Sequence, residues 1–319
     1  MHDIASYQLA VIALGAVAFG IWLLIKGGDW TINSAVAIAE KSRLSKLFIA
    51  ATIVAFGTSA PELFTSVNAN LTGFPSISVG NVMGSNIANV LLVLGVSALL
   101  APVVVDRTEV RVDTLVMVAA TLLMSVAVVT GLLPLWGGFG MLVCIVGYVF
   151  YQFKMSKLEM PDEENDLGSS NPYLFVTIGI GTLLIGSEVL VKGAVAGGIA
   201  LGVPEAVIGM TMIALGTSLP ELTTCVAAAR KGQSDMIVGG IVGSNIFNIF
   251  SVMAISAVVR PLIIEPRFAQ IDLPIVLAVT AVFAFLLLAV GRVGRIAGGV
   301  MLASYGAFTL FQYWGTFFF

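Results

Sequence analysis

The sequence predicts an all-α integral membrane protein with ten transmembrane helices, arranged as two inverted five-helix repeats with broken helices at the centre. Three observations carry that expectation. The 319 residues are 58% hydrophobic and only 10% charged, against roughly 25% charge in soluble domains, and several apolar runs reach the ~20 residues a helix needs to cross a bilayer. The stretch Gly57-Thr-Ser-Ala-Pro-Glu62 recurs 159 residues later as Gly216-Thr-Ser-Leu-Pro-Glu221, and residues 51–102 laid on 210–261 without a gap agree at 23 of 52 positions. The identities include polar ones, Thr52/Thr211, Ser59/Ser218, Glu62/Glu221 and Gly84-Ser-Asn-Ile87 against Gly243-Ser-Asn-Ile246, which shared apolarity alone does not produce; the chain is a duplicated unit. Third, Lys and Arg fall on one side of the expected membrane.

In chain order, the first repeat, 1–153, divides into helices over 6–39, 44–71, 76–101, 110–131 and 133–153. The second, 172–319, divides into 172–200, 204–230, 235–260, 268–290 and 293–316. Residues 154–171 form the only long polar segment, and their acidity, Gly and Ser read as a mobile cytosolic linker. With the N-terminus outside, the inner loops hold Lys41, Arg43, Lys46, Arg107, Arg111, Lys154, Lys157, Arg230, Lys231, Arg292 and Arg295, and the outer loops only Arg260 and Arg267. That asymmetry predicts both termini outside a prokaryotic inner membrane. Five spans per repeat is odd, so the repeats enter the membrane from opposite sides, the plan of secondary transporters with a site at the repeat interface.

Composition excludes other classes. A net charge of −3 without a basic tract gives no nucleic-acid surface. Cys144 and Cys225 lie in apolar runs and read as packing residues, and the single histidine, His2, excludes histidine-based zinc or haem sites. The first apolar run lacks a basic leader and continues as a span, so no cleavable signal peptide is expected. No HExxH motif or cofactor fingerprint marks an enzyme, and no cofactor or obligatory protein partner is expected beyond the lipid bilayer. Lys26 with Asp29, and Glu188 with Lys192, are spaced to neutralise each other along a helix. Trp136, Tyr148, Tyr151, Tyr305, Tyr313 and Trp314 read as interfacial anchors.

Glu62 and Glu221 are the exceptions that matter. A carboxylate at membrane depth is costly and marks a functional site. Pro61 has no N–H, so the Gly57 carbonyl loses its helical donor and the turn at Thr58 opens; Pro220 does the same at Gly216 and Thr217. Freed carbonyls are tolerated in a bilayer only where protein or a polar cavity satisfies them, and a cation can do so. Two carboxylates with hydroxyl and carbonyl oxygens suit a hard cation, calcium above all, which takes about 6–8 oxygens in flexible geometry, and no soft ligand favours copper or zinc. Ser85, Asn86 and Asn89, with Ser244, Asn245 and Asn248, add amides and hydroxyls. Gly80-xxx-Gly84 and Gly239-xxx-Gly243 offer flat faces that bring those amides near the glutamates. Asn86 and Asn245 serve equally well as interhelical hydrogen-bond partners.

Gly57–Glu62 with Gly80-Asn-Val-Met-Gly-Ser-Asn86, repeated as Gly216–Glu221 with Gly239–Asn245, resembles the two signature repeats of the cation/calcium antiporter superfamily, closest to the prokaryotic sodium/calcium exchangers. The resemblance covers essentially the whole chain. It implies a ten-helix alternating-access antiporter in which Glu62, Glu221 and the carbonyls of Thr58 and Thr217 hold Ca2+. Sodium ions would use Ser59, Ser85 and the Ala214 carbonyl on one side, and Ser218, Ser244 and the Ala55 carbonyl on the other, with Asn89 and Asn248 in support. It also implies that the first and sixth helices slide as a pair across the rest. One position departs from the pattern, because Asn248 stands where the sodium/calcium exchangers carry an aspartate. Two carboxylates balance one Ca2+, two Na+ or two protons, so exchange of Ca2+ for Na+ stands beside a H+/Ca2+ antiporter, with a cation channel as a further alternative.

The charge asymmetry makes a direct prediction. In a background with Cys144 and Cys225 replaced by alanine, a cysteine at position 169 should resist a membrane-impermeant thiol reagent in intact cells and react once the cells are opened. Labelling in intact cells would reverse the orientation.

Overall fold

The computed structural model describes residues 2–156, 171–200 and 214–318. Apolar composition dictates helix almost everywhere, because a backbone in hydrocarbon must bond to itself. The helices are α1 (His2–Ser42), α2 (Lys46–Thr58), α3 (Ala60–Leu71), α4 (Pro75–Leu100), α5 (Arg111–Thr130) and α6 (Leu135–Met155). They continue as α7 (Pro172–Ala200), α8 (Ala214–Thr217), α9 (Leu219–Arg230), α10 (Ser234–Val259), α11 (Phe268–Val290) and α12 (Arg295–Phe318).

Seven helices among the described residues are long and apolar enough to cross a membrane, or eight if α2 and α3, bent by 44° across their break, are one span. Ten were expected. The expected seventh span is described only from Ala214 onward, since 204–213 lies outside the described residues. The expected tenth, α12, has the length at 24 residues but opens on Arg295 and carries Gln312 among small residues, which dilutes its apolarity. Residues 157–170 of the expected linker also lie outside the described residues.

The 159-residue period reappears in the coordinates. Ala60–Leu71 maps onto Leu219–Arg230, Pro75–Ala88 onto Ser234–Phe247, and π-helical turns open at Asn89 and at Asn248. Four two-residue strands then swap partners between the halves. Val103–Val104 pairs antiparallel with Arg292–Val293, and Leu132–Leu133 with Leu262–Ile263. Such reciprocal pairing is what a two-fold relation between the halves generates.

The core is built on α4 and α10, whose apolar windows are 78% and 89% buried, against 28% for the windows of α1 and α7. Val79, Val82, Leu94, Val238, Val242 and Ile246 fill the space between α2, α4 and α10. The outer pair, α1 and α7, crosses antiparallel with glycine at each close approach. A Cβ on Gly20 would lie 2.9 Å from the Gly186 carbonyl oxygen, and one on Gly27 would lie 2.9 Å from that of Gly179. The same device brings α10 onto α2, where a Cβ on Gly239 would sit 2.7 Å from the Leu47 carbonyl oxygen and one on Gly243 2.5 Å from that of Ala51. Gly80 and Gly84 have no such close neighbour among the described residues; by the period their counterpart surface is 206–210, outside them.

Two expectations change. Tyr148 is buried rather than interfacial and donates to Asp113 Oδ1 at 2.9 Å, because Asp113, on α5, needs a donor inside the bundle. Asp29 faces Lys231 at the end of α9 (3.6 Å) instead of Lys26, and Lys231 also donates to Asn33 Oδ1 at 2.6 Å. The cross-helix cation reaches both acceptors on one face of α1, which outweighs the local pair. Tyr313 and Trp314 have side chains outside the described residues, while Trp136 and Tyr151 are exposed as expected. Cys144 is exposed, Cys225 is buried, and both are free.

Gly243→Ala should lower the thermal unfolding midpoint of the detergent-solubilised protein. Its methyl group would meet backbone that has to move, and overpacking of this kind costs about 1–3 kcal/mol. Gly140→Ala, with open space around the new methyl, should leave the midpoint unchanged or slightly raised. An unaltered midpoint for Gly243→Ala would mean that α10 and α2 do not meet this closely.

Candidate functional site

Both site helices break at a serine. Ser59 has φ −83° and ψ 9°, and Ser218 has φ −88° and ψ 4°, values that leave the α-helical basin and restart the helix with proline in its first turn. Glu62 and Glu221 follow in the first turn of α3 and α9, where the positive end of the helix dipole favours a carboxylate. Each glutamate also receives its own backbone N–H. Both side chains are almost wholly buried, 1% and 3% exposed. They lie close enough to repel each other electrostatically. Among the described residues no Lys or Arg pairs with either one.

The halves exchange ligands. Ser59 Oγ donates to Glu221 Oε1 at 3.0 Å, Thr58 faces the same carboxylate, and Ser244 Oγ approaches it at 3.4 Å. Reciprocally, Thr217 and Ser218 face Glu62. The Thr-Ser pair of each repeat therefore serves the glutamate of the other. Ser85 is buried but, unlike Ser244, bonds neither glutamate. The Ala55 carbonyl accepts from the Ser59 N–H (3.0 Å) and from Thr58 Oγ1 (3.3 Å). Ala214 opens α8, and the chain before it lies outside the described residues.

The asparagines form a second reciprocal set. Asn89 Nδ2 donates to Asn245 Oδ1 at 3.0 Å, and Asn248 Nδ2 donates to Asn86 Oδ1 at 3.1 Å. Asn86 and Asn245 act as interhelical partners here, and they hold the amide nitrogens of Asn89 and Asn248 so that the amide oxygens of these two face elsewhere. Asn89 and Asn248 each open a π-helical turn, and another, Ala50–Val54, precedes Ala55; such turns are rare and concentrate at functional sites.

Several buried acceptors are left unmet. Buried oxygens without a hydrogen-bond partner include Glu62 Oε2, Glu221 Oε2, Asn89 Oδ1, Asn248 Oδ1 and Ser218 Oγ. An unpaired buried polar group costs about 1–3 kcal/mol, more if charged. Each glutamate keeps one such oxygen, and a buried carboxylate oxygen without a donor calls for a positive charge beside it. No cluster of three or more His, Cys, Asp or Glu exists among the described residues, so the remaining donors to a cation there must be neutral oxygens.

Two contributors escape a repeat-based reading. Ser187 Oγ donates to the Gly216 carbonyl at 2.5 Å, capping the group that Pro220 orphans, and Asn81 Nδ2 reaches the Glu62 carbonyl (3.2 Å) and Ser66 Oγ (3.0 Å). Their counterparts by the period are Gly28 and Gly240, so neither shows in the self-alignment. A cleft of about 490 Å3 beside them is lined by Pro61 and Thr65 of α3, Ser187, Glu188 and Lys192 of α7, and Thr217 of α8. It connects the surface with the edge of the site.

The chain is similar to known proteins over nearly its whole length. The family model described as sodium/calcium exchanger protein matches residues 12–154 and again 171–314. The putative antiporter CaxA of Alkalimonas amylolytica is 33% identical over 93% of this chain and 96% of its own. The sodium/calcium exchanger MaX1 of Methanosarcina acetivorans is 30% identical over 91% of this chain and 95% of its own. The solved sodium-calcium exchanger NCX_Mj, soaked with 10 mM Na+ and no Ca2+, superposes with a TM-score of 0.84 at 30% identity, covering 93% of this chain and 97% of that one. A doubled Pro-Glu break, reciprocal ligands and likeness over nearly the full length converge: the chain belongs to the sodium/calcium exchanger family.

Proposed function

We propose that this protein is a secondary active antiporter that exchanges Ca2+ for Na+ across the membrane by alternating access. The observation that carries the reading is the unpartnered oxygen left on each of two buried, neighbouring glutamates. Calcium accommodates such a set, being hard, divalent and tolerant of irregular oxygen geometry. In this reading Glu62, Glu221 and the backbone at Thr58 and Thr217 hold Ca2+. Ser59, Ser85 and Ala214 take sodium on one side, and Ser218, Ser244 and Ala55 on the other, with Asn89 and Asn248 supplying amide oxygens. Two carboxylates accept one Ca2+ or two Na+ with the same net charge, which makes the two loads interchangeable without exposing a bare charge to lipid.

Ten spans in two inverted repeats, 1–153 and 172–319 about a cytosolic linker, belong to the same proposal, with both termini outside a prokaryotic inner membrane. The Ser59–Glu221 pair and both asparagine pairs are split between the halves, so movement of helices across the shared centre can open it to either side. The glycine-lined contact between α1 and α7, outside the buried core, favours these two helices as the moving pair. Asn248 favours a second reading. With an amide in place of a third carboxylate, two protons suffice to neutralise the empty site, as a H+/Ca2+ antiporter requires.

Radiolabelled calcium uptake into liposomes separates the two. An outward sodium gradient should drive uptake, and a pH gradient of equal size should not. Glu62→Gln and Glu221→Gln should each lower sodium-driven uptake a hundredfold or more, since unbalancing a buried charge pair costs about 3–5 kcal/mol. Uptake driven by the pH gradient alone would establish the proton reading, and near-normal uptake by either variant would refute the site.

A further inference from the structure

Glu188 and Lys192 lie midway along α7, with Lys192 Nζ 2.7 Å from Glu188 Oε1. The expected neutralising pair is present, yet it is neither at a helix end nor buried. The two side chains remain 65% and 76% exposed. Charges this exposed within an apolar helix face water rather than lipid, and the cleft supplies that water, because both residues line it. The same cleft is lined by Pro61, Ser187 and Thr217, so its far wall is the broken backbone of the ion site. Among the described residues, Glu188 is the one acidic side chain lining it, and Lys192 the one basic.

The other half does not repeat the arrangement. By the 159-residue period Glu188 corresponds to Asp29 and Lys192 to Asn33. Those two are tied together by Lys231 from a different helix. Among the described residues Glu188 is instead held by a flexible neighbour on its own helix, and exposed pairs of this kind contribute little stability. An arriving cation can therefore take the place of Lys192.

We propose that Glu188 is an entry residue that concentrates cations at the mouth of the cleft, and that Lys192 sets the strength of this attraction by competing for the same carboxylate. The net charge lining a low-dielectric cleft sets the local concentration of cations, and here Glu188 raises it while Lys192 lowers it. The two halves of one salt bridge then act on cation entry with opposite signs. The proposal rests on the exchanger reading, since it concerns ions travelling to Glu62 and Glu221.

The test is sodium-driven calcium uptake into liposomes at low ionic strength, with calcium varied on the cleft side. Glu188→Gln should raise the half-saturating calcium concentration about threefold, and Lys192→Gln should lower it by a similar factor. The rate at saturation should change little in both. Added choline chloride should shrink both shifts, because the charges are exposed and screened. A shift of the same sign in both variants, as loss of a structural pair would give, overturns the proposal, and so does no shift in either. Absence of calcium exchange in the unsubstituted protein would instead overturn the exchanger reading and take this proposal with it.

Discussion

Two carboxylates in the middle of an apolar bundle, with no Lys or Arg paired to them among the described residues, set the terms for the rest of the molecule. Their mutual repulsion and desolvation would be prohibitive in a bare hydrocarbon core. The structure answers with local devices, each visible in particular residues. The proline breaks place both glutamates in the first turn of a helix, where the dipole and each residue's own N–H favour negative charge. The Thr-Ser pairs bring hydroxyls to the glutamate of the opposite half. These contacts still leave one oxygen of each carboxylate unpartnered, and the remaining deficit has the shape of a cation.

Dividing the ligands between the halves links binding to movement. Ser59 reaches Glu221 and the asparagines pair across the same centre, so no half holds a complete site. The supporting helices α4 and α10 are the most buried of the spans, and glycine lets α10 lie against α2 at backbone distance. That makes a stiff frame, since close-packed interiors deform in discrete steps rather than continuously. The outer helices α1 and α7 meet each other through glycines, and their apolar windows are far less buried than those of α4 and α10. A stiff centre and a lightly buried outer pair are what the proposed alternating access would require.

Much of this was legible in the sequence, and the reason is duplication. Polar identities recurring at a fixed offset located the breaks at Gly57–Glu62 and Gly216–Glu221 and the asparagines, because each is needed once per half, and of the two expected glycine faces Gly239 and Gly243 meet a neighbouring helix closely among the described residues. What escaped was whatever occurs in only one half. Ser187 and Asn81 stabilise the broken backbone on one side each, and their counterparts are glycines. Asp113 and Asp272 escaped for another reason: their partners, Gln152 and Gln312, come from distant helices, and no local spacing reveals such pairs. The same applies to Lys231, which captures Asp29 across helices while its sequence neighbour Lys26 does not. Tyr148 was misread because a tyrosine near a helix end serves equally as an interfacial anchor or as a buried donor, and only the position of Asp113 decides.

The claim on which everything else rests is that Glu62 and Glu221 together form one cation site. Calorimetric titration of the purified protein with calcium, in the absence of sodium, tests it most directly. The account predicts one calcium ion per chain at the central site, displaced by added sodium, and lost to the same degree when either glutamate alone is changed to glutamine. Two independent calcium sites, one surviving each substitution, would contradict it.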